Sequence, residues 1–173
     1  VAFSCSINQD KTGAIFFSDK VVKYFEPKKG KKHVWSMLKY LIEHNEESKS
    51  SDPTSAFSFF NKTKWKKYRM FLFSDLLFSD SAPIIASFKK TKNRNIAFVV
   101  RVYDDMECDI PIRGFLQFIH SESGEIFWVN GFSKAIKNKI KNAHEQNESL
   151  WTNECKKSNI HLASISTGDD IYL

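Results

Sequence analysis

The sequence predicts an α/β domain: a doubly wound, mostly parallel sheet with helices on both faces, carrying a β-hairpin insertion at about 112–130. Three observations lead there. Short, continuously apolar runs recur at Ala14-Ile15-Phe16-Phe17, Met70-Phe71-Leu72-Phe73, Ile96 to Val102 and Ile160 to Ile165, the mark of strands buried on both faces. Segments of helical period separate these runs, and such alternation reads as a parallel sheet covered by helices. Three of the runs stop at polar groups, Ser74-Asp75, Asp104-Asp105 and Ser166-Thr167, where an open α/β sheet places its ligand-bearing rim.

In chain order, Val1 to Asn8 reads as the tail of a helix, and Gln9 to Gly13 as a polar turn into the Ala14 strand. Ser18-Asp19-Lys20 is a tight turn into Val21 to Phe25, an antiparallel edge strand. Val34, Leu38, Leu41 and Ile42 repeat at helical spacing, so His33 to His44 is an amphipathic helix. Thr54 opens another, carrying Phe57, Phe60 and Trp65, with Thr54 or Asp52 able to cap it. Ser81 to Lys92 is a helix with Ile84, Ile85 and Phe88 on one face. Gly114 to Ile119 and Glu125 to Val129 flank Ser121-Glu122-Ser123-Gly124 as a hairpin. Ser133 to Lys157 is a long helix with Ile136, Ile140, Ala143 and Leu150 as its buried stripe, before the final Ile160 strand.

The 173 residues, 42% of them hydrophobic, suffice for one domain with a substantial core, residues 1–173. No apolar run approaches the roughly 20 residues of a membrane helix. Cys5, Cys108 and Cys155 form no CxxC and cannot all pair, which favours a reducing, cytoplasmic compartment and buried, inert thiols. The net charge of +6 invites a nucleic-acid reading. Its lysines, however, are scattered over Lys28 to Lys32, Lys62 to Lys67, Lys89 to Lys92 and Lys134 to Lys141, as solvated faces rather than one phosphate-binding stripe.

Strand-end carboxylates beside helix N-termini suit a hard cation such as Mg²⁺, although they also serve as plain helix caps. The five histidines lack zinc-ligand spacing, and no Gly-rich phosphate loop or GxSxG elbow occurs. Asp104, Asp105, Glu107 and Asp109 form an acidic stretch. Together with Asp75 it leaves one enzymatic alternative, a metal-dependent phosphoesterase. A basic nucleic-acid-binding domain is the other alternative.

Several motifs in order resemble the "domain of unknown function 58" family. They are Phe16-Phe17-Ser18-Asp19 with its Lys-Lys-Gly-Lys-Lys-His loop, and Leu72-Phe73-Ser74-Asp75-Leu76-Leu77. Arg101-Val102-Tyr103-Asp104 through Glu107, Pro111, Gly114, Glu122 and Gly124 follows, then Ile165-Ser166-Thr167-Gly168-Asp169-Asp170. The chain departs from the family pattern at Asp105 (usually Pro) and His120 (usually Asp). The resemblance implies a von Willebrand factor A-like fold and a non-enzymatic adaptor, cytoplasmic or peripheral at the inner membrane. The implied partners are a MoxR-type AAA+ ATPase and sibling von Willebrand factor A proteins. In A-domains a cation is held by an Asp-x-Ser-x-Ser element, a Thr and an Asp. Thr54 and Asp75 match the second and third elements, while the first is absent, so Mg²⁺ binding is expected to be weak. Ser74, Asp104, Glu107 and Thr167 would stand along the same rim. The fold's first, central strand is also missing, so the chain is expected to be an N-terminally truncated portion of a longer protein. Its exposed strand edges would then be open to self-association or to a partner's strand.

Overall fold

The computed structural model describes the chain except residues 45–50, 64, 66, 79–80, 92–95, 105–113, 120–125, 131 and 170–173. The chain forms two compact units, Val1–Thr63 and Lys64–Leu173.

The first unit is a β-hairpin between helices. Strands β1 (Thr12–Phe17) and β2 (Val21–Lys28) pair antiparallel, with register shifts at Thr12/Ala14 and Phe16/Phe17. Helix α1 (Ala2–Ile7) precedes them; α2 (Lys31–Glu43) and α3 (Pro53–Lys62) follow. Successive strand residues point to opposite faces, and the rings use both. Phe16 and Phe25 meet Tyr40 of α2 at 5.1 and 5.7 Å, whereas Tyr24 meets Phe59 of α3 at 5.0 Å. His33 Nε2 donates to the Thr12 carbonyl at 2.9 Å, tying α2 to the start of β1. Gly13 is demanded by packing, since a Cβ there would lie 2.7 Å from the Phe25 carbonyl oxygen.

The second unit is a parallel three-stranded sheet in the order β3 (Arg69–Ser74), β4 (Ile96–Tyr103), β7 (His161–Ser166). Parallel neighbours need a crossover. Helix α4 (Ala82–Thr91) lies in the first connection, and α5 (Lys134–Lys157) in the second. A separate antiparallel hairpin, β5 (Phe115–Ile119) with β6 (Ile126–Asn130), precedes α5. The architecture is therefore mixed α/β with a parallel sheet and an inserted hairpin, as expected. Ile84, Ile85 and Phe88 of α4 are buried, also as expected. Lys89 of α4 reaches Glu154 of α5 at 3.3 Å. Lys157, then Lys89, hydrogen-bond the Glu154 carboxyl and hold it below its ordinary range.

Five expectations need correction. The Ala14 segment is not in the parallel sheet, because the short Ser18–Lys20 turn gives it a local partner in β2. Of the apolar runs, only β4, hydrogen-bonded on both sides, is mostly buried; Phe73 of edge strand β3 is 53% exposed. In α2, Val34 and Met37 face the core whereas Leu41 and Ile42 are exposed. In α5 the buried stripe ends in Trp151 and Cys155, and counting back along the helical period brings Asn147, His144, Ile140 and Ile136 onto it; Ala143 and Leu150 are exposed. Trp65 also lies beyond the end of α3.

Candidate functional site

The C-terminal rim of the parallel sheet gathers most of the residues singled out above. Ser74 of β3 aligns with Arg101 of β4, and Arg101 with Ser164 of β7; Tyr103 aligns with Ser166. Because the strands are parallel, Asp75, Asp104 and Thr167 all follow strands that leave the sheet at this end. Strand β4 runs two residues past the Ser74 rung before Asp104. Thr167 extends the ladder, its N–H donating to the Tyr103 carbonyl at 2.9 Å.

The turn after β3 is closed by its own side chains. Leu76 N–H donates to Ser74 Oγ at 3.1 Å, Leu77 N–H donates to Asp75 Oδ1 at 3.1 Å, and the Ser74 hydroxyl donates to that same oxygen at 3.3 Å. This is the local bonding by which Ser and Asp favour turns. Leu76 adopts φ +61, a left-handed conformation costing a residue with a Cβ about 1–2 kcal/mol. Two contacts hold it there: its side chain is wholly buried, and Asn147 Nδ2 of α5 donates to its carbonyl at 3.0 Å. The Asp75 carboxylate is left exposed.

The turn after β7 is built similarly. Ser166 N–H donates to Asp169 Oδ2 at 2.8 Å, and Gly168 N–H donates to Ser166 Oγ at 3.2 Å.

Thr54 is not part of this rim's unit. It sits in the first turn of α3, where its N–H and hydroxyl donate to the two carboxylate oxygens of Asp52 at 2.9 and 2.6 Å. Asp52 is the cap, and it takes up the Thr54 hydroxyl. Thr54 lies in the first unit and Asp75 in the second. Glu107 lies outside the described residues. Among the described residues no three His, Cys, Asp or Glu side chains gather closely enough to hold a metal ion. Thr54 Oγ is engaged as a donor to Asp52, and Asp75 Oδ1 accepts two turn hydrogen bonds.

The sequence reading missed the most unusual residue at the rim. Arg101, in the sixth position of β4, is 3% exposed, and its Nη1 lies 3.2 Å from Glu148 Oε2 of α5. The guanidinium carbon stands 4.9 Å from the Tyr103 ring centroid, and among the described residues Nε has no hydrogen-bond partner. The signal was present: a lone arginine inside an otherwise apolar run, Ile96 to Val102. Glu148 also borders a hollow of about 460 Å³ along α5, lined by Glu145, Ser149, Thr152 and Asn153 as well. Farther along α5, Cys155 is buried, and that burial pushes its thiol up to about 11; a thiolate-poor cysteine of this kind is unreactive.

A parallel α/β sheet whose strands end in Ser, Asp and Thr at one rim belongs to the open-sheet α/β class. The chain matches the family described as "Protein of unknown function DUF58" over residues 1–149. It belongs to that family. No curated protein and no solved structure matches it. Among the described residues, no helix is long and apolar enough to cross a membrane.

Proposed function

We propose that this chain is a non-enzymatic protein-interaction domain of von Willebrand factor A type. It would serve a MoxR-type AAA+ ATPase as an adaptor, alongside sibling von Willebrand factor A proteins. The observation that carries the reading is the Ser74–Leu77 turn. Backbone strain concentrates at functional positions only where the surroundings over-determine it. Here a buried leucine with positive φ and an amide from α5 fix a turn whose one charged group, Asp75, faces outward. Beside it runs β3, whose outer edge is paired with no strand among the described residues. A fixed carboxylate next to open main-chain groups suits a partner segment that adds to the edge and places a basic or hydroxyl group at its end. The resemblance to A-domains supports the class of partner. Catalysis has no role in this reading, and Mg²⁺ contributes weakly if it binds.

The test is direct binding of the purified 173-residue chain to the MoxR-type ATPase of the same organism, with ATP and with ADP. Saturable binding, weakened at least roughly tenfold by Asp75→Ala or Phe73→Lys, is the expected result. No binding in either nucleotide state overturns the reading. Calorimetric titration with MgCl₂ examines the cation separately: micromolar binding lost in Asp75→Ala would show that the missing motif is unnecessary.

A further inference from the structure

Helix α2 has two apolar faces. One is buried through Val34 and Met37. The other is open: Trp35 is 59% and Ile42 80% exposed. Seven residues apart, these two share one face of the helix. Phe3 of α1 meets Trp35 edge-on at 5.5 Å, and Ile7, one turn beyond Phe3, continues the patch; both are exposed. Exposed apolar clusters of this kind mark interaction sites.

Lysines dominate the charge around the patch. Between Glu26 and Glu43 the sequence holds five lysines, Lys28, Lys29, Lys31, Lys32 and Lys39, and no carboxylate; all five are exposed. At about 100° per residue, Lys31 falls roughly 20° to one side of Ile42. Lys39 and Lys32 fall roughly 40–60° to the other side of Trp35. The stripe is thus flanked by ammonium groups on both sides.

We propose that this α1–α2 face is a docking surface for an anionic phospholipid bilayer. An indole at the head-group level, aliphatic side chains in the outer acyl region and lysines reaching back to phosphates form the arrangement of an interfacial helix. The lysine stems extend past the apolar residues, so each ammonium stays hydrated while its methylenes add contact. The patch residues of both helices are exposed, as contact with a bilayer requires. The border of the patch is mostly positive, Lys28, Lys29, Lys31 and Lys32 standing beside a Lys39 that pairs with Glu43 at 3.6 Å, and this balance complements anionic lipid heads. The proposal is independent of the ATPase adaptor reading, which concerns the second unit.

The test uses the full chain with sucrose-loaded vesicles of phosphatidylglycerol and phosphatidylcholine in equal amounts, against vesicles of phosphatidylcholine alone. Sedimentation with the anionic vesicles is expected, falling as NaCl is raised. Lys31→Glu with Lys32→Glu should weaken partitioning at least roughly tenfold. Ile42→Ser should weaken it several-fold; so exposed a residue can change without unfolding the chain, and circular dichroism verifies this. Failure to sediment with anionic vesicles at low salt overturns the proposal, as does equal partitioning of wild type and variants. Concentration-dependent dimerisation abolished by Ile42→Ser would also overturn it, assigning the face to a second copy of the chain.

Discussion

The pair of Arg101 and Glu148 allows a sharp test of what holds α5 to the sheet. At a separation of 3.2 Å, Coulomb's law at an effective dielectric of about 20 gives a gross attraction of roughly 5 kcal/mol. The net effect is smaller, because burying the guanidinium costs hydration that the pair only partly restores. The two partners are asymmetric: the Arg101 side chain is 4% exposed and that of Glu148 54%. Glu148→Ala therefore strands a buried cation whose Nε is already unpartnered. Breaking a fully buried pair costs about 3–5 kcal/mol. Water entering where Glu148 stood reduces this, so we expect a loss of about 2–3 kcal/mol. Arg101→Met removes the charge itself and should cost under about 1 kcal/mol. In that background Glu148→Ala should be nearly silent, giving a coupling of about 2 kcal/mol in a double-mutant cycle. Urea unfolding followed by Trp fluorescence reads it, since Trp151 is buried one turn from Glu148. Equal effects of Glu148→Ala in both backgrounds would refute the argument and make the pair a bystander.

Three further outcomes follow from single contacts. Gly13→Ala places a methyl 2.7 Å from the Phe25 oxygen and 2.9 Å from Pro27 Cγ; a loss of about 1–3 kcal/mol is expected in thermal melts, and an unchanged melting temperature would show that the hairpin yields freely. The Cys155 thiol, raised by burial from 9.0 to about 11, stays protonated in the fold after the unfolded thiol has ionised. Its contribution is fully present below pH 9 and is lost between pH 9 and 11, by about 2–3 kcal/mol; a Cys155→Ala variant should lack that slope, and native Cys155 should resist a thiol reagent at pH 8 until urea is added. Asn147→Ala removes the amide that holds the Leu76 carbonyl and should cost about 1 kcal/mol, with faster hydrogen exchange at Leu76 and Leu77 as the readout.

Where the sequence was legible, one physical rule dominated locally. The strand at Ile96 was readable because β4 is hydrogen-bonded on both sides and needs apolar side chains on both faces. Helix α4 was readable because Ile84, Ile85 and Phe88 repeat at the helical period over a short segment. The rim was partly legible: Ser74-Asp75 and Ser166-Thr167 stood out as polar stops, and both form closed turns. Periodicity failed where a helix has two apolar sides. Leu41 and Ile42 looked like core because the same spacing describes an outward stripe. Asn147 and His144 were missed because polar residues on a buried stripe break the pattern. The Asp52–Thr54 hydrogen bonds were also invisible, since either residue could have been the cap.

The two candidate interaction surfaces make opposite demands on a partner. The outer edge of β3, paired with no strand among the described residues, offers directional main-chain groups along Met70-Phe71-Leu72-Phe73. Between Arg69 and Ser74 it has none of the charges, prolines or bulges that normally protect an edge. Such an edge accepts only an extended segment in register, and a second copy of the chain could supply one. The α1–α2 stripe offers area and positive charge without direction, and accepts any anionic surface that buries Trp35 and Ile42. Phe73→Lys should therefore suppress strand-mediated self-association and leave lipid binding intact, whereas Ile42→Ser should do the reverse. If one substitution abolished both, the separation of roles drawn from these side chains would fail, and a single surface would have to explain both behaviours.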